Sequence, residues 1–220
     1  MKVYAHDDMA IYDLEEQEKL DALKAWWNDN GRTVLLAVVA FLVTVAAVQG
    51  WRYHKRTQAL DAAALYGQLL EGVQTKDVKK VQEAAAAIFK EHPASGYAAL
   101  AALTAAKASV EAGNLAAAKG NLTWAAEHGT DEATRDLARL RLAAVLMDEK
   151  RFEEALRELD AKHTDATAAL FAELKGDVLT AQGKVAEARV AYQAALAKLP
   201  LGAESRNVAQ LKLDALGEAR

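Results

Sequence analysis

The chain holds five histidines, the side chain best suited to proton transfer and metal ligation near neutral pH: His6, His54, His92, His128 and His163. No two have ligand spacing such as His-x3-His, so a zinc pair is not formed along the sequence. His92, His128 and His163 each fall near the end of a helical segment, and they read as cations favoured by the helix dipole there. The serines are Ser95, Ser109 and Ser205, none in the strand-to-helix turn of a nucleophile elbow. Acid pairs such as Glu153-Glu154 and Asp148-Glu149 read as solvated helix surface, and the glycines form no phosphate cradle. There is no cysteine, which excludes thiol catalysis and Cys-ligated zinc. These residues make no catalytic constellation. The chain reads as a protein that is not an enzyme and takes no cofactor.

The elements that carry these residues begin with an apolar run, Val34 to Val48, in which Thr44 is the only hydroxyl. From Thr33 to Gly50 there are 18 residues without a charge. As a helix they span roughly 27 Å, about the hydrocarbon thickness of a bilayer. Trp26-Trp27 precede the run, and Trp51 and Tyr53 follow it, as interfacial aromatics do. Residues 33–52 are therefore read as a transmembrane signal-anchor helix. Residues 1–32 carry eight acids against four bases, which is the wrong leader for a cleaved signal, so the anchor is expected to stay. Lys19, Lys24 and Arg32 on one side balance Arg52, Lys55 and Arg56 on the other, so flanking charge leaves the orientation open.

Residues 57–220 carry 20 bases and 23 acids, with no basic stripe for nucleic acid. Alanine is abundant, prolines are only Pro93 and Pro200, and β-branched residues are thin. The composition is helical, without strand-like alternation. Helix punctuation recurs: Thr57 to Val73; Asp77 to Glu91 before Pro93; Ser95 to Gly113; Leu115 to His128; a start at Thr130-Asp-Glu; Phe152 to Lys162; Asp165 to Gln182; Val185 to Leu199; and Glu204 to Leu216.

Paired helices at a fixed period imply a solenoid. Leu174 to Pro200 is the sharpest copy and resembles a tetratricopeptide repeat. Gly176, Gly183, Ala188, Tyr192, Ala195 and Pro200 fall on the small, turn, small, aromatic, small and proline positions. Gly176 and Ala188 allow two helices to approach, Gly183 makes their turn, Tyr192 fills space against the next helix and Pro200 stops the repeat. Looser copies place Ala143, Leu146, Lys150, Phe152, Ala155 and Leu159, and Ala106, Gly113, Ala118, Leu122 and Ala125, at matching positions. In the first of these, Lys162 replaces a small residue and Thr167 the closing proline. A degenerate first copy ends at Pro93. The expected architecture is all-α: one N-terminal transmembrane helix, then a solenoid of tetratricopeptide-like hairpins over residues 57–220. First helices line the inner face of such a solenoid, where Leu103, Lys107, Leu140, Met147, Glu173 and Asp177 are candidate protein-binding residues. Core packing is the favoured role of the leucines.

Four features together identify a family: Tyr12-Asp-Leu-Glu-Glu-Gln-Glu, Leu23-Lys-Ala-Trp-Trp-Asn-Asp-Asn-Gly31, an anchor closed by Gly50-Trp51-Arg52-Tyr53, and the repeat domain. The chain resembles the YfgM family, ancillary subunits of the bacterial SecYEG translocon, from about Met9 to Leu216. The first eight residues look like an extension, with Met9 as an alternative start. The resemblance implies an inner-membrane protein with residues 1–32 in the cytoplasm and the repeat domain in the periplasm. It implies association with SecYEG and with the membrane-anchored chaperone PpiD, and a part in passing emerging polypeptides to periplasmic chaperones. It also links the acidic tail to stress-response regulation. The alternative from the residues alone is a scaffold in another envelope assembly, for secretion, division or cytochrome maturation.

Overall fold

The computed structural model describes residues 7–200 and 202–217, with side chains from Glu18 onward; Met1 and His6 lie outside the described residues. The described residues form helices α1 (Asp7–Gln74), α2 (Val78–Glu91), α3 (Gly96–Glu111), α4 (Leu115–His128), α5 (Glu132–Asp148), α6 (Phe152–Leu159), α7 (Ala168–Ala181), α8 (Val185–Lys198) and α9 (Glu204–Ala215). The chain divides into two compact units, Met1–Arg56 and Thr57–Arg220.

In the first unit, α1 starts at Asp7, well before the apolar run. The acids at its start favour a helix N-terminus, and no proline interrupts it. The helix is long and apolar enough to cross a membrane, and the side chains from Leu35 to Val48 lie exposed. The Thr44 hydroxyl donates to the Ala40 carbonyl at 2.8 Å, so the run has no unpaired hydroxyl in an apolar medium. The Trp27 indole lies over Gly31, where a Cβ would meet it at 3.2 Å. The Lys55 ammonium sits 4.7 Å from the Trp51 ring centroid, a cation–π contact beside the aromatic belt.

In the second unit, four hairpins follow one another: the end of α1 with α2, α3 with α4, α5 with α6, and α7 with α8; α9 packs on α8. Every hairpin turn places one residue in the left-handed region: Lys76, Gly113, Lys150 and Gly183, with φ of 56°, 75°, 59° and 78°. Local chemistry sets the starts. The side chains of Asp77, Ser95, Asn114 and Asp131 accept from backbone N–H groups of Lys80, Tyr97, Ala117 and Thr134. The fifth helix is thus capped by Asp131 rather than opened at Thr130.

Most buried side chains in this unit are alanines, which let helices approach closely. Larger residues fill the gaps in layers. Leu69, Val81 and Ile88 pack between α1, α2 and α3; Leu122, Leu142, Leu146, Leu159, Phe171 and Val178 join α4 to α7. Gln82 donates to the Ser109 hydroxyl at 2.8 Å and accepts from Asn121 at 3.1 Å, a satisfied polar link across α2, α3 and α4.

The connection between the sixth and seventh helices is longer than the sequence expectation. The sixth helix ends at Leu159, not Lys162, and the seventh starts at Ala168, not Asp165. The cause is Asp136, 2% exposed on α5. Its Oδ2 accepts from the Thr164 N–H at 2.9 Å, the Thr164 hydroxyl at 2.8 Å and the Thr167 hydroxyl at 2.7 Å. Burial pushes this carboxyl up, but the Thr164 N–H, the Thr167 and Thr164 hydroxyls and nearby His163 outweigh it and hold it below its ordinary value. Thr167, which stands where a repeat would close with proline, is anchored by a carboxylate instead.

Candidate interaction surface

The six candidate residues all lie on first helices, but the structure separates them into three kinds. Leu103 on α3 and Leu140 and Met147 on α5 are half-buried and pack against the core. Lys107 on α3 is exposed, with its ammonium 3.8 Å from Glu111. Only Glu173 and Asp177 on α7 come together, and a residue the sequence reading missed joins them. The Lys212 ammonium of α9 donates to Glu173 Oε1 at 2.7 Å and Asp177 Oδ2 at 2.8 Å. The Tyr192 hydroxyl donates to Asp177 Oδ1 at 2.8 Å. Burial lowers the affinity of Lys212 for its proton, but Asp177 and Glu173 outweigh it and hold its pKa above the ordinary value. Burial, with Asp177 beside it, pushes the Tyr192 phenol up.

A second missed feature is a row of exposed leucines. Leu100 on α3 is 50% exposed, Leu137 on α5 39% and Leu170 on α7 48%. Each lies six residues before the small residue of its hairpin, Ala106, Ala143 or Gly176. The repeat register therefore puts the three at equivalent points on successive first helices. Each therefore leaves part of its apolar surface open to solvent. The signal was present in the sequence once Ala106, Ala143 and Gly176 were aligned.

His92, His128 and His163 stand in separate surroundings. His92 is buried with Nδ1 2.6 Å from Gln58 Oε1, His128 stacks on Trp124 at 4.9 Å, and His163 stacks on Phe171 at 4.2 Å. On the second-helix side, Lys119, Thr123 and Arg157 line a cleft above Leu142 and Leu146. Its charges are largely paired internally, Lys119 with Glu149 and Arg151 with Glu154. Among the described residues, no group of three or more His, Cys, Asp or Glu side chains could hold a metal ion.

Residues 24–218 match the family model of the tetratricopeptide repeat-like domain. An ancillary SecYEG translocon subunit of Neisseria gonorrhoeae is 31% identical over 204 residues, covering 92% of this chain and 98% of that protein. The subunit of the same name from Haemophilus influenzae is 31% identical, covering 84% of this chain and 90% of its own length. The one from Escherichia coli is 30% identical, with 84% and 89% covered. Those proteins share the name of ancillary subunits of the SecYEG translocon. With one helix fit to span a bilayer and a repeat unit of paired helices, the sequence likeness runs through both parts of a membrane-anchored protein. The chain belongs to the family of ancillary SecYEG translocon subunits, with its tetratricopeptide repeat-like domain.

Proposed function

We propose that this chain is a membrane-tethered protein-interaction module of the SecYEG translocon that helps hand translocated proteins to periplasmic chaperones. The observation that carries the reading is the full-length likeness to translocon subunits, joined to a first-helix face with apolar and charged side chains open to solvent. In this reading residues 1–32 are the cytoplasmic tail, residues 33–52 an uncleaved anchor and residues 57–220 a periplasmic repeat domain. The partners are SecYEG, a membrane-anchored chaperone of the PpiD kind and emerging chains. The mechanism is local concentration. One helix confines the repeat domain beside the channel exit, so weak contacts become effective without high intrinsic affinity. Lys107, Glu173 and Asp177 supply polar contacts on the face, while Leu103, Leu140 and Met147 support it from the core side.

Protease added to spheroplasts tests the topology: it should remove residues after Trp51 and spare the N-terminal tail. Intact mass of the extracted protein should show the anchor retained. Photo-crosslinkers at Lys107 or Asp177 should capture a chaperone or an emerging chain, and lose it when the anchor is deleted. Protection of the repeat domain from external protease would defeat the periplasmic assignment.

A further inference from the structure

Just beyond the apolar run, α1 carries cations without counter-charges. Arg52, Lys55 and Arg56 follow Gly50 closely, and the nearest acids along the chain are Asp29 and Asp61. We propose that Arg52, Lys55 and Arg56 form a binding site for the phosphate of an anionic phospholipid, in the leaflet where α1 leaves the bilayer. The proposal rests only on the reading of Thr33 to Gly50 as a membrane span, and it holds for either orientation of the chain.

Helix geometry places the three on one face. At about 100° per residue, positions 52, 55 and 56 fall within an arc of roughly 100°, with Trp51 and Tyr53 on its two flanks. All five side chains are exposed. Along the axis the three cations stand roughly 3 to 9 Å past Gly50, comparable to a headgroup layer roughly 5 to 8 Å deep. Helical side chains tilt toward the helix N-terminus, which for these residues is the membrane side. The Lys55 ammonium shows this reach, lying over the Trp51 ring one turn back toward Gly50. Arg32, at the other end of the run, tilts away from the hydrocarbon by the same rule.

Charge completes the site. Among the described residues, no carboxylate lies within ion-pair distance of Arg52, Lys55 or Arg56. Asp61, five residues beyond Arg56, falls on another side of the helix. Before the run the cations have acids to hand: Lys24 holds Asp21 at 3.1 Å, and Arg32 follows Asp29 by three positions. Two guanidinium groups offer paired N–H donors that match phosphate oxygens, and Lys55 adds a point charge. Trp51 and Tyr53 suit the interfacial level beside them. A protein carboxylate could meet the same charges, but cations at headgroup depth favour the anion that is always present there. A phosphate held on this face fixes the depth and rotation of α1 at that leaflet, one residue before the repeat unit begins at Thr57.

The test uses the full chain in detergent micelles, titrated with phosphatidylglycerol or phosphatidylcholine and read by native mass spectrometry for bound lipid. Phosphatidylglycerol should bind roughly tenfold or more tightly than phosphatidylcholine. Arg52→Gln, Lys55→Gln and Arg56→Gln should each cost about fivefold, the weight of one basic residue at an anionic surface. The triple variant should lose the preference, and Arg32→Gln should keep it. Exchanging neighbours, His54→Lys with Lys55→His, keeps the composition and moves one charge off the face; it should cost as much as Lys55→Gln. Equal binding of the two lipids, a preference that survives the triple variant, or an exchange variant as strong as wild type overturns the site. Soluble glycerol phosphate or a short polyglutamate peptide that displaces the lipid at equal concentration overturns the lipid as its ligand. Carbonate washing of membranes separates the two readings. A chain released by it defeats the membrane span, whereas a retained chain without lipid preference defeats the site alone.

Discussion

A Cβ added to Gly176 would lie 2.5 Å from Cε1 of Tyr192, because the tyrosine ring lies flat across the backbone of the facing helix. The ring is 2% exposed in a cluster against which Leu213 of α9 and Leu216 just beyond it pack, while its hydroxyl reaches Asp177. One side chain therefore closes the last hairpin, lies in the cluster that the terminal helix covers and orients a carboxylate of α7.

Gly176→Ala should accordingly destabilise the repeat unit by about 1–3 kcal/mol, since a packed ring has no room to retreat. Ala188→Leu, at a fully buried neighbour of Tyr192, should fall in the same range. Glu187→Ala, on the exposed side of α8, should stay within about 0.5 kcal/mol. Denaturant melts of the three variants decide it, and equal effects would show that the repeat register is misplaced.

The fragment from Thr57 onward should fold cooperatively as a soluble helical protein, because its hairpins bury one another's apolar faces. Deleting residues 204–220 should lower its melting temperature or cause aggregation. The deletion uncovers Leu179, Ala191 and Tyr192 and removes Arg206, which donates to the Leu196 and Leu199 carbonyls at the end of α8. Unchanged melting would show that α9 is not a cap.

Asp136 should make stability fall at acid pH. Its folded pKa lies below the ordinary 3.8, so its contribution is complete above that value and is lost as pH falls through the lower folded pKa. Asp136→Asn should cost about 1–3 kcal/mol at neutral pH by leaving buried donors poorly met. It should also flatten the pH dependence below about pH 4 relative to wild type. Parallel slopes for both proteins across that window would remove Asp136 as the cause.

Lys150→Gly should stabilise the third hairpin by up to about 1 kcal/mol. Lys150 holds φ at 59° in the turn where Gly113 and Gly183 stand in neighbouring hairpins, and a Cβ is disfavoured in that region. Its side chain is exposed, so nothing is lost from the core. A melting temperature that drops would mean the gain in unfolded-chain entropy outweighs the relieved strain.

Much of this architecture is written in short stretches of sequence. The apolar run Val34 to Val48, the cap at Ser95 and the turn at Gly183 act over a few residues, and hydropathy and spacing suffice to find them. The family features, too, are local strings. What only the tertiary structure decided are contacts between residues far apart in the chain. Asp136 meets Thr164 and Thr167 across 28 and 31 positions, and so moves the ends of α6 and α7. Lys212 reaches Glu173 and Asp177 across 39 and 35 positions, joining the terminal helix to two half-buried acids of α7. Leu103 and Leu140 turn toward the core while Leu100 and Leu137, one turn earlier on the same helices, face solvent. That choice depends on how each helix is rotated against its neighbours, a quantity set by the packing of all the hairpins together and by no single segment.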